Sequence, residues 1–113
     1  MARQRLASLK ELKERGTIKF GYRELGIARE GFLAWHEGQA VCYENACRHV
    51  PITLDYGDGR FYTPDGQHFI CQTHGAKYEP LTGRCIEGPC PGAFLKRLEV
   101  EIAEGDLYLV IPE

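Results

Sequence analysis

The sequence predicts an all-β domain built from short antiparallel strands. Thirteen Gly and six Pro in 113 residues interrupt the chain too often for long helices. Between them lie short runs rich in β-branched and aromatic residues. Two acidic-glycine links, Glu37-Gly38-Gln39 and Glu104-Gly105, join such runs closely enough to read as hairpins.

One helix is expected, over Leu9 to Arg15. Ser8 followed by Glu11 matches a capping box, and Gly16 supplies a stop. Leu6, Leu9 and Leu12 would share its apolar face. Strand signals then take over at 17–22, 31–37 and 40–44. The runs 68–72 and 76–80 follow, and 94–103 and 106–112 form a closing hairpin. The stretches 50–70 and 80–93 are broken by Gly57, Gly59, Pro64, Gly66, Gly83, Pro89 and Pro91, and both read as loops.

Length fits one domain over 1–113. A net charge of −2 without a basic patch argues against nucleic acid as a partner. The basic residues of "MARQRLASLKELKERG" have no apolar run behind them, so no secretory or twin-arginine leader is expected. No run approaches membrane-spanning length. The expected setting is a soluble protein of the cytoplasm, with no membrane partner. In that reducing compartment five cysteines point to metal ligands or free thiols before disulfides.

The chemistry concentrates in two short motifs, Cys47-Arg48-His49 and Cys71-Gln72-Thr73-His74-Gly75. Two thiolates and two imidazoles suit zinc or an iron–sulfur cluster. Structural zinc sites usually pair like ligands at wider spacings. In extended chain Cys47 and His49 point to one face with their tips apart, which suits two neighbouring metal ions better than one. A binuclear [2Fe–2S] core accommodates this, with one iron on the thiolates and the other on the imidazoles.

Together the two motifs resemble the signature of the Rieske family. The downstream Tyr78-Glu79-Pro80, Thr82-Gly83 and Gly88-Pro89 are similar to the segment that follows in such domains. The resemblance runs from about Leu25 to the C-terminus. It implies the Rieske iron–sulfur fold, antiparallel sheets carrying a small cluster-binding subdomain at about 45–91. It implies one [2Fe–2S] cluster, with Cys47 and Cys71 on the inner iron and His49 and His74 on the outer one. Gly88 and Pro89 would lie against the cluster, and the Tyr78 hydroxyl would approach a ligand sulfur. Neutral imidazoles in place of two thiolates remove negative charge, so the potential lies above that of all-cysteine clusters, at roughly −150 to +300 mV.

High-potential members carry a disulfide between the two ligand loops and a serine that hydrogen-bonds a cluster sulfide. Ile52 and Thr73 occupy the disulfide positions here, and Ala76 the serine position. The resemblance is therefore to small soluble Rieske-type ferredoxins of oxygenase systems. These imply single-electron transfer from a flavin-dependent reductase to a terminal oxygenase or similar acceptor, with no substrate chemistry by the chain itself. Two alternatives stand beside this: a small Rieske subunit of a larger oxidoreductase, and a structural zinc-binding module.

The remaining candidates read as structural. His36 and His68 are strand histidines outside the motifs. Cys42 is a small buried hydrophobe, and Trp35 is a packing residue. Cys85 and Cys90 bracket the proline loop; a disulfide between them is geometrically conceivable, and the reducing compartment favours free thiols. The segment 54–67 looks like an added hairpin or loop. Glu99, Glu101 and Glu104 form an acidic, solvated edge.

Overall fold

Ser8 ends the first strand and starts the helix, and its side chain does the switching. In the computed structural model, which describes residues 2–46, 54, 60–71, 75–88 and 92–111, Ser8 Oγ accepts from the Glu11 amide at 3.0 Å. The helix α1 then spans Leu9–Arg15. Gly16, at φ 82°, closes it by donating to Leu12 O at 2.7 Å. Leu12 is buried, with Leu6 and Leu9 packed beside it, as the sequence pattern anticipates.

Strand β1, Ala2–Ser8, precedes the helix and was not anticipated. The other strands are β2 (Thr17–Glu24), β3 (Ile27–His36), β4 (Gln39–Glu44), β5 (Phe69–Ile70), β6 (Lys77–Tyr78), β7 (Cys85–Glu87), β8 (Val100–Ala103) and β9 (Asp106–Ile111). Among the described residues they make three antiparallel sheets, ordered β1-β9-β8, β2-β3-β4 and β5-β6-β7. The expected all-β class is the observed one.

Two-residue turns close three hairpins, at Leu25-Gly26, Glu37-Gly38 and Glu104-Gly105. Both residues of each turn have positive φ, about 50° then about 80°. That backbone matches the right-handed twist of the flanking strands, and glycine at the second place adopts it without steric cost.

The β2-β3-β4 sheet is the middle layer. Successive side chains of a strand point to opposite faces. Phe32, Ala34, Val41 and Tyr43 therefore face one core, while Leu33 and Cys42 face the other. The second core lies against the β1-β9-β8 sheet, through Leu107 and Leu109. The first lies against the β5-β6-β7 sheet, through Phe69, Cys71, Ala76, Tyr78 and Cys85. With both faces covered, Phe32, Leu33 and Ala34 are all buried in unbroken succession. This is why that stretch reads as a continuous apolar run.

Two expectations need adjustment. The run 94–103 is not one strand. Its first part follows the β4 edge, where Glu44 N donates to Lys96 O and Leu98 N to Cys42 O, both at 2.9 Å. Its last part, Val100–Ala103, pairs with β9, and Val110 N donates to the preceding Glu99 O at 3.0 Å. The stretch 80–93, read as loop, contains β7. In the segment 54–67, Leu54 and 60–67 are described. Tyr62 bridges to Phe69, and Thr63 N donates to His68 O at 2.8 Å, so this part doubles back as a small hairpin.

Candidate metal centre

Three short segments are flanked by described residues that are hydrogen-bonded to each other beside the first core, and each is called a turn below. The second is the simplest. Cys71 follows β5 directly. Its N–H donates to Ala76 O, and its carbonyl accepts from Gly75 N, both at 2.8 Å. The Cys71 side chain is wholly buried. His74 lies within this tied turn by sequence, but its own placement is outside the described residues.

The third turn repeats the device. Cys85 N donates to Ala93 O at 2.7 Å, and Gly92 N donates to Cys85 O at 3.0 Å. Gly88 sits here at φ 104°, and a Cβ at this position would lie 2.6 Å from Ala76 Cα. The third turn thus rests directly on the second. Pro89 and Cys90 fall outside the described residues. Cys85 is buried, and its thiol donates to Glu87 O at 3.4 Å.

The first turn begins where β4 ends. Asn45 N donates to Glu30 O at 2.9 Å, and Asn45 Nδ2 donates to Glu30 Oε1 at 2.6 Å. The Asn45 Oδ1 accepts from the Leu54 amide at 2.8 Å. Leu54 is wholly buried in the same core as Cys71, Ala76 and Cys85. Cys47 and His49 lie between, by sequence, and are outside the described residues, as is Ile52.

Of the seven residues that the sequence singles out, the structure therefore describes Cys71, Tyr78 and Gly88. It places them in or beside one core. Tyr78 is fully buried and pairs across the sheet with Phe69, two residues before Cys71. Among the described residues no cluster of three or more His, Cys, Asp or Glu side chains forms.

These surroundings fit an iron–sulfur group held by thiolates. Cys71 is withdrawn from water, and the seat between the second and third turns requires a residue without a side chain at 88. A soft sulfur donor in apolar surroundings suits iron–sulfur chemistry. When bound, such a group supplies reversible uptake of one electron.

A second tie runs from the middle sheet. The Tyr43 hydroxyl donates to Pro80 O at 2.8 Å inside the core. Burial raises its phenol above the ordinary value. The neutral phenol is thereby retained as a donor. Further out, the Tyr62 hydroxyl lies 3.3 Å from His36 Nδ1 and the rings stack. His36 is therefore a partnered strand histidine. Cys42 is 2% exposed and belongs to the second core, in agreement with its reading as a small hydrophobe. Trp35 packs against that core with Lys13 Nζ over its ring.

Asn45 is the residue that sequence reasoning passed over. Its only signal was position: an amide closing the apolar run "AVCYE", two residues before Cys47.

Comparison with known proteins agrees with this architecture. The family model for the Rieske [2Fe-2S] domain matches residues 2–104. The menaquinol:cytochrome c reductase iron-sulfur subunit of Geobacillus thermodenitrificans is 30% identical over 73 residues, which is 65% of this chain. The match spans 41% of that subunit's length. The ferredoxin of carbazole 1,9a-dioxygenase from Nocardioides aromaticivorans IC177 superposes with a TM-score of 0.70 at 16% identity. It covers 99% of this chain and 100% of its own. The terminal oxygenase of carbazole 1,9a-dioxygenase from Novosphingobium sp. KA1 gives 0.73 at 19% identity, over 98% of this chain and 30% of its own. A three-layer antiparallel fold, three tied turns on one core and a family match over nearly the whole chain place this protein in the Rieske [2Fe–2S] domain family.

Proposed function

We propose that this chain is a single-electron carrier that serves an oxygenase or similar acceptor and is reduced by a flavin-dependent reductase. The family's [2Fe–2S] cofactor would be held by Cys47 and Cys71 through sulfur and by His49 and His74 through nitrogen. The cluster-binding part is about 45–91 within a single domain of 1–113, and the β5-β6-β7 sheet falls wholly inside it. The observation that carries this reading is the convergence of the three tied turns on one core containing Leu54, Cys71, Ala76 and Cys85.

Each described residue has a part. Cys71 offers its sulfur from the buried side, held by two backbone hydrogen bonds to its own turn. Tyr78 and Phe69 back that turn and exclude water. Gly88 lets the third turn close over the second, and Pro89 would complete that cover. No substrate chemistry is assigned to the chain itself. Among the described residues no helix is long and apolar enough to cross a membrane, and a reducing, cytoplasmic setting suits cysteines kept as ligands.

The sequence identity to the menaquinol:cytochrome c reductase subunit favours a second reading, a small subunit of a larger oxidoreductase. Ile52, Thr73 and Ala76 stand against quinol oxidation, because they remove the features tied to high potential.

The test is spectroscopic. Purified protein is expected to be red-brown, with about two irons and two labile sulfides per chain. Its reduced EPR spectrum is expected to show the low average g of mixed nitrogen and sulfur ligation. Zinc without labile sulfide would refute the assignment. Reduction by a flavin reductase in stopped flow, followed by reoxidation by an oxygenase, tests the partners. Stable co-purification with a large catalytic subunit would favour the second reading.

A further inference from the structure

We infer that Asn45 is a positioning residue: its side chain is the clasp that fixes the first ligand turn against the other two. This rests on the ligand assignment above and goes beyond it, because Asn45 is no ligand. The ties seen among the described residues are of two kinds. Cys71 with Ala76, and Cys85 with Ala93, are tied by backbone hydrogen bonds. Such ties are indifferent to side-chain identity. Among the described residues, the base of the first turn is spanned by the Asn45 side-chain amide. Its oxygen takes the Leu54 N–H, and its nitrogen gives to Glu30 Oε1.

The consequences follow from burial. Asn45 is 4% exposed and Leu54 is wholly buried. Without the Asn45 oxygen the Leu54 amide would lose its acceptor inside a core, where water does not readily replace it. Leu54 packs in the core that holds Cys71, so a shift of Leu54 changes where the first turn returns relative to the second. An amide carries its donor and its acceptor on two separate atoms, so one short side chain reaches both partners. Aspartate at this place would set a carboxylate 2.6 Å from that of Glu30.

The experiment uses the cluster-loaded protein, an iron chelator as challenge, and four variants. Asn45→Ala removes the clasp. Asn45→Asp keeps the acceptor but repels Glu30. The double variant Asn45→Asp/Glu30→Gln reverses donor and acceptor and restores both bonds. Ile18→Val trims the second core, away from the turns, as a stability control.

Asn45→Ala is expected to lose its cluster about tenfold faster than wild type, with about tenfold faster exchange of the Leu54 amide and broadened EPR features. Ile18→Val is expected to stay within about threefold of wild type in cluster loss. The double variant is expected to recover most of what Asn45→Asp loses, and this comparison stands even if Asn45→Ala does not accumulate. Cluster loss from Asn45→Ala no faster than from Ile18→Val, or a double variant no better than Asn45→Asp, would overturn the clasp. A wild-type protein without the low-g signal would overturn the ligand assignment instead. Normal wild-type spectra with unchanged Leu54 exchange in Asn45→Ala would overturn the clasp alone.

Discussion

Gly88 rests on Ala76 so closely that a Cβ at position 88 would come within 2.6 Å of Ala76 Cα and 3.1 Å of its nitrogen. Both opposing atoms are backbone, so neither can swing aside. The φ of 104° adds strain for any residue with a side chain. Gly88→Ala is therefore expected to cost about 2–4 kcal/mol by strain and overpacking together. For a domain of this size that lowers the melting temperature by roughly 10 °C or more. Thermal unfolding followed by circular dichroism checks this. An unchanged melting temperature would show that the third turn does not rest on the second.

Ala76, on the other side of that contact, sits where high-potential relatives carry a hydroxyl. The missing donor removes one hydrogen bond that would favour the reduced, more negative cluster. Ala76→Ser is expected to raise the reduction potential by about 40 mV, the equivalent of about 1 kcal/mol for one electron. Protein-film voltammetry reads this directly. A potential that falls or stays level would mean the hydroxyl points elsewhere from this buried position.

Tyr43 joins the middle sheet to the β6–β7 turn through Pro80 O. Its ring also fills the space beside Gly83, where a Cβ would come within 2.8 Å of Tyr43 Cε1. Tyr43→Phe keeps the ring and removes the donor, leaving a buried carbonyl unpaired. The expected cost is about 1–2 kcal/mol. Denaturant unfolding is expected to show a lower midpoint with an unchanged slope, since the surface exposed on unfolding is the same. A changed slope would instead point to loss of two-state behaviour.

How much of this was legible in the sequence depends on how locally each feature is encoded. The helix was readable because Ser8, Glu11 and Gly16 carry its ends within a few residues. The turns at Glu37-Gly38 and Glu104-Gly105 were readable for the same reason. The equivalent turn at Leu25-Gly26 was not, because an almost wholly exposed leucine at positive φ is a poor turn signal. Strand β1 was missed because its partner β9 lies at the other end of the chain. Arg3 faces Val110, and Gln4 faces Leu109. The alternation in 94–103 suggested one strand, whereas its halves serve β4 and β9 separately. At the site, the Cys and His spacing announced the chemistry. The ties at Asn45, Cys71 and Cys85 were invisible, because two run through the backbone and one depends on Leu54 returning to the same core.

The N-cap offers a prediction far from the metal centre. Ser8→Ala removes the acceptor of the Glu11 amide. The expected cost is about 1 kcal/mol, or about 5 °C in melting temperature. The EPR signature and potential should not move, since α1 packs on the second core. A shift in either would mean that the two cores are coupled.

Alkaline pH provides a last test, of the middle sheet. Burial raises the Tyr22 and Tyr43 phenols and the Cys42 thiol, and pushes the Tyr62 phenol up to about 12. For Tyr22 the Glu44 carboxylate adds to the effect. A raised folded-state pKa means that the folded protein holds its proton where the unfolded chain has lost it. The associated stability is complete below the unfolded values, near 9 for the thiol and 10 for the phenols. It is lost as pH rises from there through about 12. The denaturant midpoint is thus expected to fall steadily above about pH 9. Tyr62→Phe is expected to flatten the part of that slope between about pH 10 and pH 12. Tyr62 bonds only to Trp35 O and His36 in the described structure, so the substitution leaves the three turn ties intact. Midpoints level from pH 8 to pH 11 would mean that these groups are hydrated and that the two cores are less closed than their burial indicates.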